Sequence, residues 1–132
     1  MKDRFKFRYA YENMVYDVRQ IDFTYNYIVL GNKRTLDFPI SDGELLQCTG
    51  LKDKNGTLIY EGDIVKYTSK PSKTNPEKEP YTENFKVVWD GISYVSQRAN
   101  GVNCQNVAIE QKQLEVIGNI YENPELLEVN ND

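Results

Sequence analysis

The apolar residues between Leu45 and Val65 come in short runs that are separated by turn residues. Asn55-Gly56 is the dipeptide that best tolerates the positive φ angles of a type I′ turn, and a Gly between carboxylates, as in Glu61-Gly62-Asp63, rarely lies inside a ladder. Thr49-Gly50 permits a further sharp change of direction. The pattern predicts strand, turn, strand, turn and strand, and such turn residues favour an exposed hairpin without chemistry of its own.

Between residues 5 and 10, aromatic side chains alternate with basic or small ones. Period two predicts a strand with one aromatic and one basic face, and we expect this strand at the edge of a sheet. Either the aromatic residues are core and the cations face water, or the strand stacks on single-stranded nucleic acid. The candidate residues for nucleic-acid binding are Arg4, Phe5, Lys6, Phe7, Arg8 and Tyr9.

The next forty residues carry two more runs of strand-forming residues. Apolar residues from Met14 to Leu30 predict strands that end at a turn over Gly31-Asn32-Lys33. The alternation from Leu36 to Ile40 predicts another strand, and Pro39 places it at a sheet edge or at a strand end.

The segment from Thr68 to Asn84 has a different composition from the rest of the chain. Pro71, Pro76 and Pro80 lie among Ser, Thr, Lys and Glu, and Tyr81 is the main apolar side chain. The composition predicts a long mobile loop over residues 68–84. Loops of this length are often either functional or disordered, and this composition favours disorder.

A second hairpin is predicted around Asp90-Gly91, which joins Phe85–Trp89 to Ile92–Val95. We expect Trp89, the single tryptophan, to lie beside the turn and to cover the core. Gln97–Asn106 is then predicted to be a polar loop.

The C-terminal part of the chain contains shorter signals. Val107–Ile109 fits either a short strand or one helical turn, and Leu114–Tyr121 predicts a strand that is broken by Gly118. Asn123-Pro124 is typical of the N-cap and first residue of a short helix. Beyond Glu128 we expect the chain to fray.

Length and composition predict one domain, residues 1–132, of mostly β structure. The apolar content of 39% is modest, but ten tyrosines add apolar surface, and the aromatic and β-branched residues favour sheet over a helix bundle.

The net charge of −4 and the pI near 4.9 argue against duplex DNA as a partner, because phosphate binding needs a basic surface. The charge is uneven, however, and we expect the basic start and acidic end of the chain to lie close together or to meet across subunits. A local nucleic-acid patch at the start is the alternative. The basic residues are Lys2, Arg4, Lys6, Arg8 and Arg19, and the acidic ones are Glu110, Glu115, Glu122, Glu125, Glu128 and Asp132.

Cys48 and Cys104 are too few for a disulfide framework, and we expect free, partly buried thiols in a reducing cytosol. No apolar run approaches the ~20 residues of a membrane span, and charges interrupt the start of the chain where a signal peptide would be apolar. We therefore expect a soluble protein of the cytoplasm.

The sequence offers little catalytic chemistry. It contains no histidine, and its glycines lack the spacing and the lysine of a phosphate-binding loop. Asp53, Glu61 and Asp63 lie on adjacent turns and would suit one Mg²⁺ or Ca²⁺ if they converged. Carboxylates in turns more often accept hydrogen bonds from backbone N–H groups, so we expect no metal and no cofactor.

Two motifs resemble the YopX family of small bacteriophage and prophage proteins. One runs from Gln47 to Gly56 and continues from Ile59 to Val65, and the other runs over residues 115–127. Lys6-Phe7-Arg8 resembles the opening of the family, although it is followed by Tyr-Ala instead of the usual Trp-Asp. The resemblance implies several coiled β-sheets with an SH3-like barrel, and it implies no activity. On this basis residues 1–44 form an N-terminal strand extension and residues 45–127 form the barrel region, which ends in a short helical turn.

These observations lead to an interaction protein as the expected function. We expect a phage-derived accessory protein that is not an enzyme and that binds itself and a host or phage protein, because tyrosine is abundant and is enriched at interface hot spots. The alternative is a nucleic-acid-binding SH3-like barrel, and a carboxylate metal hydrolase is a distant third possibility.

Overall fold

A computed structural model describes residues 2–31 and 36–128 of the chain. Within these ranges, short strands form two antiparallel sheets, with a few turns of helix between them. The strands are β1 (Phe7–Tyr11), β2 (Met14–Asp22), β3 (Tyr27–Leu30), β4 (Leu36–Pro39), β5 (Glu44–Lys52), β6 (Leu58–Tyr60), β7 (Asp63–Thr68), β8 (Thr82–Trp89), β9 (Tyr94–Gln97), β10 (Asn103–Asn106) and β11 (Leu114–Asn119). The one α-helical turn, α1, is Val107–Glu110, and 3-10 turns cover Lys2–Phe5, Ile40–Asp42, Gln111–Gln113 and Pro124–Leu127.

The first sheet has the strand order β4-β3-β2-β1-β5-β6. Its first hairpin is closed by Glu12-Asn13, where both residues have positive φ angles of 48° and 64°, as a two-residue type I′ turn requires. β4 lies at the edge and ends at Pro39, as the sequence predicts. β1 lies between β2 and β5, so the expectation of an N-terminal edge strand is wrong.

The second sheet has the strand order β10-β9-β8-β7-β11. The register of β11 against β7 shifts between Val116 and Gly118, which confirms the predicted break in this strand. The described strands form two open sheets and do not close into a barrel. The mostly β fold class is confirmed.

A hydrophobic cluster joins the two sheets. Ile59 of β6, which belongs to the first sheet, packs with Val65, Phe85 and Val87 of the second. α1 and β11 add Val107 and Leu114. A smaller cluster of Tyr9, Ile28 and Leu30 lies against the first sheet alone. β5 begins at Glu44, beside the predicted boundary at residues 44 and 45, but it pairs with β1 and so continues the N-terminal sheet.

The Leu45–Val65 segment folds as predicted except at its two glycine-containing dipeptides. β5 continues through Thr49-Gly50, where Gly50 has a φ of +81° and the register against β6 shifts, so this position is a bulge and not a turn. At Asn55-Gly56 only Gly56 has positive φ, +83°, which excludes type I′. The turn is closed instead by a hydrogen bond from Gly56 N to Asp53 O.

Several boundaries also differ from the predictions. The loop after β7 ends at Tyr81, because residues 82–84 already belong to β8, and the Asp90-Gly91 turn extends through Ser93. The predicted polar loop 97–106 contains β10. Residues 107–110 form a helical turn, which is one of the two structures predicted there, and not a strand. Asn123 and Pro124 occupy the predicted N-cap and first positions of the last 3-10 turn, but the Asn123 side chain makes no capping hydrogen bond and accepts one from Asn119 N instead. The predicted turn at residues 32–33 and the fraying after residue 128 lie outside the described residues.

Candidate functional site

The structure separates the aromatic residues that were predicted to bind nucleic acid. Tyr9 is fully buried, and its hydroxyl donates a 2.9 Å hydrogen bond to Pro39 O. Phe7 is half-buried in β1, whereas Phe5 precedes the strand, in the 3-10 turn, and is 76% exposed. The predicted alternation from residue 5 to residue 10 therefore does not form one continuous face for bases to stack on.

Two of the three basic residues of this segment, Lys6 and Arg8, have partners within the protein. Arg8 lies 3.9 Å above the ring centroid of Tyr60 and forms ion pairs with Asp17 at 3.4 Å and with Asp63 at 3.7 Å. Lys6 pairs with Asp3 at 3.2 Å. The geometry of Arg8 therefore serves the fold rather than a phosphate.

Asp63 is a buried carboxyl at the junction of the two sheets. It is 2% exposed, and its Oδ2 accepts a 2.8 Å hydrogen bond from Tyr60 N. Burial raises the pKa of Asp63 to about 7, while the Tyr60 N–H and the Arg8 guanidinium act in the opposite direction. Asp63 is therefore the group in this region whose charge changes near neutral pH.

The three carboxylates considered for a metal do not form a shared site. Asp53 Oδ1 accepts hydrogen bonds from the N–H groups of Asn55 and Thr57, and Asp53 Oδ2 accepts one from Val116 N. Both oxygens of Asp53 are thus used to hold the turn and to fasten β11. Among residues 2–31 and 36–128, no cluster of acidic or cysteine side chains is placed to hold a metal ion.

One surface feature that sequence reasoning missed is centred on Trp89, between β5 and the β8–β9 hairpin. Three neighbouring depressions of about 400, 250 and 160 Å³ share Trp89 in their walls. We call them together the Trp89 groove. Residues that line it include Arg4, Leu51, Glu61, Trp89, Ile92 and Tyr94.

Two large apolar side chains of the Trp89 groove are exposed to solvent. Trp89 is 46% exposed and Ile92 is 87% exposed. The Tyr94 ring packs edge-on against the indole of Trp89, with 4.9 Å between the ring centroids, and this contact holds Trp89 in place. The prediction that Trp89 covers the core is therefore wrong, because much of the indole faces solvent. A lone tryptophan beside a tight turn is the sequence signal that marks this site.

A larger depression of about 530 Å³ lies at the opposite end of β8, beside the last turn of the chain. Its wall includes the ion pair between Arg98 Nε and Glu83 Oε2 at 2.7 Å. Asn84 Nδ2 donates a hydrogen bond to Leu126 O across it. These polar groups already satisfy one another, so the depression is a weaker candidate than the Trp89 groove.

The basic start and the acidic end of the chain meet only indirectly. The side chain of Glu122 accepts a 3.0 Å hydrogen bond from Val15 N, which brings the C-terminal segment to β2. In the described part of the chain, the ion pairs of the basic start go to Asp3, Asp17 and Asp63, and none goes to the acidic end.

Cys48 and Cys104 are both free thiols, as predicted. Cys48 is fully buried, and burial raises its pKa, whereas Cys104 is exposed on β10. None of the helices in the described ranges has the length and apolar character needed to cross a bilayer.

The fold and the groove define a small, mostly β protein of two open antiparallel sheets with an aromatic groove at their junction. The family model for YopX protein matches residues 4–128. The chain therefore belongs to the YopX family, as the sequence motifs indicate.

Two solved structures share the fold. Protein yopX from Bacillus subtilis is 19% identical, with a TM-score of 0.60, over 96% of this chain and 98% of that one. Protein EF1440 from Enterococcus faecalis is 24% identical, with a TM-score of 0.56, over 93% of this chain and 97% of that one. No curated protein matches the chain.

Proposed function

We propose that this YopX-family protein is a non-enzymatic interaction protein and that the Trp89 groove is its contact surface. The observation that carries the proposal is the pairing of a 46% exposed indole with the 87% exposed Ile92 in one groove. Exposed apolar side chains that are grouped in this way are typical of protein–protein contact sites. Tryptophan, tyrosine and arginine, which meet here as Trp89, Tyr94 and Arg4, are the residue types enriched at interface hot spots.

The chemistry of the chain supports a binding role over catalysis. The sequence contains no histidine, and the most buried acidic group, Asp63, faces Tyr60 and Arg8 inside the protein rather than an open cavity. Asp53 holds a turn. The groove itself is lined mainly by side chains that bind rather than transfer protons.

Membership of the YopX family supports the phage-derived accessory role that the resemblance implies. Such a protein would act in the cytoplasm of the bacterial host, on a host or phage protein and on further copies of itself. We expect the groove to serve these contacts, because the N-terminal strand lies inside a sheet and offers no free edge to a partner.

Two groove variants test the proposal. Trp89→Ala and Ile92→Ser should reduce self-association in light scattering and should reduce recovery of partner proteins from infected cells, because both remove exposed apolar surface from the groove. Tyr25→Ser is the matched control, since Tyr25 is 78% exposed on the turn between β2 and β3. Equal effects of all three variants, or a 15.4 kDa monomer that captures no protein, would contradict the proposal.

Nucleic-acid binding is the second candidate, and the position of Arg4 favours it. Arg4 lines the groove beside Trp89, and the neighbouring Phe5 is 76% exposed, so a cation and aromatic rings lie close together. Polarisation of a labelled single-stranded oligonucleotide at about 50 mM salt tests this function, because low salt strengthens phosphate contacts. Binding tighter than about 1 μM that is lost in Arg4→Glu would favour this candidate over a protein partner.

A further inference from the structure

We propose that the loop Ser69–Tyr81 of one molecule, here called the proline loop, binds in the Trp89 groove of a second molecule. This inference rests on the proposed function, because it names the occupant of the same groove.

The proline loop is presented to solvent as a preformed segment. Hydrogen bonds from Ser69 N to Tyr81 O and from Tyr81 N to Ser69 Oγ, both 2.8 Å, close its base. Between them, the residues are exposed except for the half-buried Ser72. Its three prolines restrict the backbone, which lowers the entropy lost on binding. They are Pro71, Pro76 and Pro80, and they alternate with Lys70, Lys73 and Lys78. The three lysines outnumber the two glutamates of the loop, so its net charge is +1 (3 − 2).

The Trp89 groove complements such a segment in chemistry and in net charge. Aromatic-lined grooves bind proline-containing segments because flat rings pack on exposed pyrrolidine faces. The loop presents Pro76 on a turn, which is closed by a hydrogen bond from Lys78 N to Asn75 O. Trp89 and Tyr94 provide the rings. The lining carboxylates Glu44 and Glu61 outnumber the one lining cation, Arg4, so the groove would attract a loop of net positive charge.

The loop cannot reach the groove of its own molecule. It leaves the sheet at Thr68 and returns at Thr82, whereas Trp89 ends the same strand, β8, at the other end. From Tyr81, at the closed base of the loop, eight residues lead to Trp89, about 26 Å away at ~3.3 Å per residue. The loop doubles back over six residues on each side, so it extends at most about 21 Å from that base at ~3.5 Å per residue. The contact must therefore join two molecules.

The loop and the groove are different surfaces, so each molecule offers one of each. Two molecules that exchange their loops across a two-fold axis would form a symmetric dimer, whereas a head-to-tail contact gives a ring when the rotation closes and an open chain when it does not. In each of these assemblies the loop of one molecule fills the groove of another.

The first experiment uses the single tryptophan as a reporter. In a full-length variant, residues 70–80 are replaced by a short Gly-Ser linker, which leaves the Trp89 groove free. A peptide with the sequence of residues 69–80, which contains no aromatic residue, is then titrated in. We expect a saturable change in Trp89 emission. The control peptide with its three prolines changed to alanine keeps every charge and should bind about tenfold more weakly or worse.

The second experiment follows assembly by light scattering across a range of protein concentration. The unaltered chain should form species above 15.4 kDa, and the linker variant should remain a monomer. A second variant with Lys70, Lys73 and Lys78 changed to glutamate keeps the length of the loop and should also be monomeric. Far-ultraviolet circular dichroism checks that each variant is folded.

The outcomes separate this inference from the proposed function. If the linker variant still assembles while Trp89→Ala does not, the groove is the contact surface but the proline loop is not its occupant, and the inference is overturned. A folded Trp89→Ala protein that assembles and captures partners like the unaltered chain would overturn both. An unchanged Trp89 emission at saturating peptide also overturns the inference.

Discussion

β1 and the Trp89 groove use aromatic and charged side chains in opposite ways. In and around β1, Tyr9 is buried and Arg8 pairs with two carboxylates while it covers the Tyr60 ring. In the groove, Trp89 and Ile92 remain open to water although they lie at the same junction of sheets. The difference shows where this chain has satisfied its own side chains and where it offers them to another molecule.

The largest expected effect tests the difference in burial directly. Tyr9→Ala should lower the free energy of unfolding by about 3–5 kcal/mol, the usual cost of removing a fully buried aromatic ring. Trp89→Ala should cost about 1 kcal/mol, because half of the indole is already in water. Chemical denaturation of both variants measures the contrast. Similar losses for the two would mean that Trp89 belongs to the core after all.

The buried carboxyl of Asp63 should make stability depend on pH. Its pKa is raised from 3.8 to about 7 in the folded protein, so the folded state binds a proton more tightly than the unfolded state. The resulting stabilisation is complete below about pH 4 and is lost as the pH rises through 7, by roughly 4 kcal/mol. Asp63→Asn removes the titrating group but keeps an oxygen for Tyr60 N–H.

Urea unfolding at several pH values between 4 and 8 compares the two proteins. The unaltered protein should lose stability toward neutral pH relative to Asp63→Asn, whose curve should be flatter. Curves that run parallel would show that Asp63 is charged throughout and that the Arg8 ion pair compensates its burial.

A pair of glycine variants compares a turn that is packed against the protein with a turn that is open to solvent. Gly62 and Gly56 have nearly equal φ angles of +86° and +83°, but an added Cβ would lie 3.2 Å from the Tyr121 ring only at Gly62. Gly62→Ala should therefore cost about 1–3 kcal/mol, while Gly56→Ala should cost only the backbone strain, about 1 kcal/mol. Thermal melts of both variants test this order, and the reverse order would contradict the packing of Tyr121 on the turn.

The smallest expected effect is local and concerns proteolytic cleavage of the proline loop. Limited proteolysis should cut first between Ser69 and Tyr81, because this segment is exposed and is held to the body only at its base. Cutting should slow as protein concentration rises, if the loop is bound by a second molecule. First cleavage within Leu45–Val65 would contradict the packing of β5 and β6 in the core.

The turns could be predicted from local chemistry, whereas the order of the strands in the sheets could not. Gly62 and Gly91 mark turns where the sequence places them, because few residues adopt positive φ without strain. The position of β1 inside the first sheet depends on its pairing with Glu44–Gln47, more than thirty residues away, which a period of two does not encode.

The candidate site could not be predicted from the sequence for a related reason. Of the six residues proposed to bind nucleic acid, Arg4 lines the groove, whereas Tyr9 is buried and Arg8 is paired. The exposure of Trp89 depends on how β5 packs beside the β8–β9 hairpin, and the local sequence pattern does not encode this tertiary contact. The family motif was readable because its glycines and carboxylates act locally, as Asp53 does in holding its turn.

The hydrogen bond from Val15 N to Glu122 has a consequence for the order of folding. It joins residues that are 107 positions apart, and β11, which pairs with β7, also comes from the end of the chain. Contacts of such long sequence separation form slowly, because the loop entropy is lost before they contribute. During synthesis, the first hairpin is made early but waits until Glu122 has been made before this partner arrives. We therefore expect the emergence of residues 114–122, rather than that of the first hairpin, to set the time at which the two sheets are complete.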